Sequence, residues 1–90
     1  MPITDDNIKK AIEISRQFGV SKLVLFGSAV EDINSANDLD FAVEGITGWK
    51  LIELAAKLEN ELKINVDVVA IKPDDKFISH ILNYAKVLYA

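Results

Sequence analysis

Two aspartates, Asp38 and Asp40, open the stretch DLDFAVEG, and a third, Asp67, stands inside INVDVVAI. Aspartate is depleted in β-strands, yet both stretches otherwise read as strands. Side chains alternate across a strand, so Asp38, Asp40 and Ala42 share one face while Leu39, Phe41 and Val43 take the other. In the later stretch Asn65, Asp67, Val69 and Ile71 share a face opposite Ile64, Val66, Val68 and Ala70. Taken singly, Asp38 could cap a turn and Asp40 could face water. Buried carboxylates are unfavourable unless paired, protonated or metal-bound, so three in two short strands ask for a common cause. If the strands lie side by side the acids converge, and a divalent cation would hold them together. Oxygen ligands, with no cysteine in the chain and no histidine nearby, point to Mg2+ or Mn2+ rather than zinc.

The other half of the chemistry lies upstream, where Gly27 and Ser28 follow the apolar run KLVLF. A glycine at a strand end lets phosphate oxygens approach the backbone, and the serine after it offers an N–H and a hydroxyl. A phosphate cradle beside metal-binding aspartates is what metal-assisted phosphoryl transfer requires, with two cations roughly 3.5–4 Å apart.

FGS after one strand, DLD opening the next and VDVV in a third together resemble the nucleotidyltransferase superfamily that includes DNA polymerase beta. At this length the chain is most similar to the minimal nucleotidyltransferases, over nearly all its residues. The resemblance implies that Gly27 and Ser28 hold the β,γ-phosphates of a nucleoside triphosphate and that Asp38, Asp40 and Asp67 ligate the metals. Asp67 would also help deprotonate an acceptor hydroxyl, which attacks the α-phosphate and expels pyrophosphate. It further implies an antitoxin role beside a helical HEPN-type partner, with AMP transferred to a hydroxyl on that partner. Where the family commonly reads Gly-Ser-x-Ala-Arg-Gly, this chain reads GSAVED. Val30 and Glu31 thus replace a small and a basic residue, leaving Lys72, Lys76 and Arg16 as candidate substitutes for the lost cation. The same departure keeps two other readings open: a module that neutralises a partner by occlusion, and a domain that only senses nucleotide.

The elements that must position these residues are legible from periodicity. Thr4 is a natural N-cap, Asp5 and Asp6 suit the positive end of a helix dipole, and Ile3 with Ile8 would form a hydrophobic staple. Ile8, Ala11, Ile12 and Ser15 read as that helix's inward stripe, and Gly19 as the residue that ends it. Strands are expected at 22–26, 38–44 and 64–71, with little more than a helical turn over 28–37. Residues 49–63 give the clearest helix: Leu51, Leu54, Ala55, Leu58 and Leu62 form its apolar face, and Glu53–Lys57 and Lys57–Glu61 are i,i+4 pairs. Trp49 at its start reads as core or staple packing, and the charged run 57–63 as a solvated face. A last helix would carry Phe77, Ile78, Ile81 and Leu82, with His80 structural or at the surface and Tyr84 and Tyr89 packing. The tail KVLYA reads as a further extended segment.

The order α-β-turn-β-α-β-α makes one small α/β domain over residues 1–90, a mixed sheet with flanking helices. Ninety residues suffice for a single core, and a composition that is 50% hydrophobic and 27% charged is that of a folded domain. The net charge of −4 argues against a broad basic face for nucleic acid, but not against a nucleotide bound with divalent metal. No apolar run approaches the ~20 residues of a membrane span, and no signal-peptide pattern opens the chain, so a cytoplasmic protein is expected. With no room for further domains, a protein partner or a second copy in a homodimer is expected to complete the site.

Overall fold

A computed structural model of the chain describes residues 4–27, 30, 38–72 and 85–90. The first helix, α1 (Asp5–Gln17), starts where local chemistry favours it. The Thr4 hydroxyl accepts from the Asn7 N–H at 3.3 Å, and the Asn7 side-chain oxygen accepts from the Thr4 N–H at 2.9 Å. Two amides that a helix start leaves without partners are thus satisfied reciprocally. At the other end Gly19 adopts φ +87°, and the amides of Gly19 and Val20 return to the carbonyls of Arg16 and Ser15. This is the left-handed ending expected at that glycine.

Three strands and a second helix follow: β1 (Lys22–Phe26), β2 (Asp38–Glu44), α2 (Trp49–Leu62) and β3 (Asn65–Ala70); β4 (Lys86–Tyr89) comes last. They form one four-stranded sheet in the order β3-β2-β1-β4. β1 runs antiparallel to both its neighbours, whereas β2 and β3, joined through α2, are parallel. The sheet is therefore mixed, as the sequence pattern implies. The expected last helix, with Phe77, Ile78, His80, Ile81, Leu82 and Tyr84, lies outside the described residues, as does the Ile3 half of the staple.

Alternation sets the two faces of the sheet. Leu23 and Leu25 of β1, Leu39, Phe41 and Val43 of β2, and Val66 of β3 pack against Ala11 and Ile14 of α1 and Leu54, Leu58 and Leu62 of α2. Each such side chain removed from water contributes about 1.5–3 kcal/mol before entropy is counted. The opposite face is not simply wet: Val24 and Ala42 are fully buried there. Both helices therefore lie on one face, and the aspartates point to the other.

Two expectations about packing are corrected. The buried residues of α1 are Ala11, Ile14 and Ser15, with Ile8 and Ile12 only half-buried, so its stripe is rotated toward Ile14. Trp49 does not enter the core and is 77% exposed. It lies five positions before Leu54, and at about 100° per residue that places it on the far side of α2. Of the two expected helix pairs, Lys57–Glu61 is formed at 3.1 Å.

Candidate functional site

The strand register assembles the site. β2 and β3 pair with Asp40 beside Asp67 and Asp38 beside Asn65, so all four polar side chains lie on the face away from the helices. On the other side of β2, Phe26 is the register partner of Asp40, which brings the end of β1, and Gly27 after it, to the same point. Residues far apart in sequence thus meet at one end of the sheet. The expectation that the acid-bearing strands lie side by side is met.

Burial is less uniform than the sequence implies. Asp38 and Asp67 are exposed, and only Asp40 is half-buried. Three buried charges are therefore not what the fold has to stabilise. The tension concentrates on Asp40, whose pKa is pushed up first by burial and then by the negative charges of Asp67 and Asp38. The Asp67 side chain, beside it on the next strand, adds to the same upward push. The repulsion between carboxylates on neighbouring strands is relieved by a proton on one of them or by a bound cation. Among the described residues, no three histidine, aspartate or glutamate side chains form a group that could hold a metal ion. The arrangement is a close pair, Asp40 with Asp67, with Asp38 two residues before Asp40 on the same strand face. Hard oxygen donors, mutual repulsion and an open side suit a divalent cation in kind.

Gly27 is fixed by this geometry. Its φ is +81°, and a Cβ built on it would collide with the Asp40 carboxylate oxygen. The residue is glycine both for its backbone and for the close approach of an acid. Ser28 and Glu31 lie outside the described residues. Val30 is described: its N–H returns to the Gly27 carbonyl at 3.2 Å, and its side chain packs against the core. The departure from a small residue at this position thus serves packing.

The candidate replacements for the missing cation do not converge here. The Arg16 guanidinium stacks over the Tyr89 ring, 4.5 Å from its centroid, at the β4 side of the sheet. Tyr89 in turn donates its hydroxyl to the Val20 carbonyl at 2.8 Å, which bears out its packing role. Lys72 follows Asp67 by five residues, about 16 Å along an extended chain, beyond the opposite end of β3. Lys76 lies outside the described residues. Asn65 received no role from the sequence alone, although its shared face with Asp67 was the available signal; register puts it beside Asp38.

Comparison with known proteins agrees with this fold. Residues 7–90 match the family model described as polymerase beta, nucleotidyltransferase. No curated protein sequence matches the chain. Among solved structures, the chain is similar to one in the complex of tri-AMPylated Shewanella oneidensis HEPN toxin with MNT antitoxin. The two are 26% identical with a TM-score of 0.75, over 93% of this chain and 70% of that one. A chain of a mutant MntA–HepT toxin–antitoxin complex matches at 25% identity and a TM-score of 0.79, over 92% of this chain and 72% of that one. A toxin–antitoxin complex solved with AMP-PNP shares the fold, at 24% identity and a TM-score of 0.78, over 98% of this chain and 74% of that one.

Proposed function

The chain belongs to the nucleotidyltransferase family of polymerase beta, and on that premise we propose that it transfers AMP from a nucleoside triphosphate to a hydroxyl on a HEPN-type protein partner. It would thereby act as the antitoxin half of a toxin–antitoxin pair. The observation that carries this reading is the in-register pair Asp40 and Asp67, with Asp38 on the same face, at the sheet end where Gly27 arrives. The solved relatives that are toxin–antitoxin complexes, one of them with an AMPylated toxin, support the partner class.

In the proposed reaction the acceptor oxygen attacks the α-phosphorus, a new P–O bond forms, and the bond to the bridging oxygen of the β-phosphate breaks. Pyrophosphate leaves with that electron pair. Asp67, exposed beside Asp40, takes the proton of the attacking hydroxyl. Gly27 presents backbone without a side chain, so phosphate oxygens can approach, and Ser28 would add a hydroxyl and an N–H. Asp38, Asp40 and Asp67 would hold Mg2+ or Mn2+, which when bound polarises phosphate oxygens and makes the acceptor hydroxyl more acidic.

The test is transfer of labelled AMP from ATP to a HEPN-type protein that binds this chain, with Mg2+ present. Wild type should label it, and Asp38→Asn/Asp40→Asn should lower the rate by at least a hundredfold while keeping the fold. Equal labelling by both, or by neither, would sink the enzymatic reading. A second reading, neutralisation by complex formation alone, is favoured by Arg16 being stacked on Tyr89 and Lys72 lying at the far end of β3. Under it the double variant still neutralises the partner in growth assays.

A further inference from the structure

We infer that Lys63, in the turn between α2 and β3, is the cation that faces the α-phosphate of a nucleotide bound at the aspartates, in place of the basic residue that GSAVED lacks. This rests on the reading of that sheet end as a nucleotide site. Lys63 caps the C-terminus of α2 with φ 59° and ψ 36°, and its N–H returns to the Glu59 carbonyl at 2.9 Å. Among the described residues it is the only one other than glycine with a positive φ. Glycine is the ordinary choice there, because a Cβ crowds the carbonyl that follows. The fold thus holds a lysine where a glycine would sit with less strain, and a residue kept against local preference asks for a use beyond the fold.

Topology takes Lys63 to the site. Only Lys63 and Ile64 join α2 to β3, and Ile64 packs against the core. Asn65, the next residue, opens β3 beside Asp38. Two residues span at most about 7 Å, and paired strands lie about 4.8 Å apart. From there an exposed lysine, on its flexible four-carbon stem, can set its ammonium against a phosphate held over Asp38. Gly27 stands on the other side of β2, so the phosphates it cradles lie a further strand away. The α-phosphate, at the aspartates where the bond breaks, is the group within reach.

Charge calls for a cation at this end. Asp38, Asp40 and Asp67 lie here, and α2 ends here, so the negative end of its dipole adds to theirs. An anionic phosphate is opposed by all four. The other lysines of β1, α2 and β4 are placed otherwise. Lys22, the register partner of Glu44, and Lys50, at the start of α2, stand at the opposite end. Lys57 is paired with Glu61. Lys86 comes to the same end, but as the register partner of Leu25 it shares the face toward the helices. An ammonium at the α-phosphate would offset the charge that builds on its oxygens as the acceptor adds.

The experiment is calorimetric titration of the full chain, in Mg2+, with the α,β-methylene analogue of ATP, which cannot release pyrophosphate. Lys63→Gly should raise the urea midpoint, because the strain goes, and yet weaken the analogue at least about tenfold, because a charge-assisted contact goes with it. Lys63→Gln keeps the strained backbone and loses the charge, so it should weaken binding as much. Lys63→Arg should stay within about threefold of wild type, and Lys86→Gln within about twofold. Pyrophosphate, which has no α-phosphate, should bind wild type and Lys63→Gln alike. A lower urea midpoint for Lys63→Gly, equal binding of the analogue by wild type and Lys63→Gln, an equal loss for pyrophosphate, or no binding by wild type would overturn the inference. Equal binding by wild type and Lys63→Gln leaves the enzymatic reading intact, whereas a wild type that binds through Lys63 and transfers no AMP faults only that reading.

Discussion

At the scale of single residues, Asp40 concentrates the tension in the fold. Its pKa is raised by burial and by two neighbouring acids, so the folded state holds its proton more tightly than the unfolded chain does. The resulting penalty is absent below the ordinary carboxylate pKa near 3.8, grows as pH rises through the raised folded value, and is complete above it. Asp40→Asn removes the repulsion while keeping the shape. Its urea midpoint should exceed that of wild type at pH 7 and converge with it as pH falls toward 4. Mn2+ should raise the melting temperature of wild type and leave that of Asp38→Asn/Asp40→Asn unchanged; equal shifts in both would remove these aspartates from cation binding. Gly27 tests the same spot from the backbone side. Gly27→Ala combines a left-handed backbone, worth about 1–2 kcal/mol against a non-glycine residue, with a collision against the Asp40 carboxylate. Denaturation should show a loss at least that large.

Among the elements, α1 contains both a well-made start and a flaw. Its capping box should make Thr4→Ala cost about 1 kcal/mol in chemical denaturation. Ser15, one turn beyond Ala11, is fully buried, and its hydroxyl has no hydrogen-bond partner among the described residues. Ser15→Ala removes that unsatisfied group and improves helix propensity, so it should stabilise the protein by about 1 kcal/mol. The serine was legible as an inward residue, but the absence of a partner was not, because a partner is a matter of tertiary neighbours. Trp49 shows the same limit from the other direction. An aromatic at a helix start reads as packing, and only the phase of the Leu54, Leu58 and Leu62 stripe shows that it points outward.

For the whole molecule, apolar and β-branched runs bounded by glycine or proline located the strands, and alternation gave the face that bears the acids, because a period of two admits no compromise between core and site. What alternation could not supply was register: nothing in DLDFAVEG or INVDVVAI says that Asp40 pairs with Asp67 rather than with Asn65. Nor could it supply burial, since a polar residue in a strand looks the same on a wet and on a covered face. The sheet order β3-β2-β1-β4 places β1 and β2 centrally. Native-state hydrogen exchange should therefore find the slowest amides at Leu23–Leu25 and Phe41–Val43, with β3 and β4 opening earlier.

That order also has a consequence for the chain as it is being made. Gly27, Asp38, Asp40 and Asp67 all precede residue 72, and β3 joins the sheet on the side away from β4. A nascent chain that has emerged through β3 can bring its carboxylates together before β4 has been synthesised. Until β4 arrives, the exposed flank of β1 is the vulnerable part of the molecule, and Tyr89, anchored to Val20 and stacked under Arg16, is the clasp that closes it.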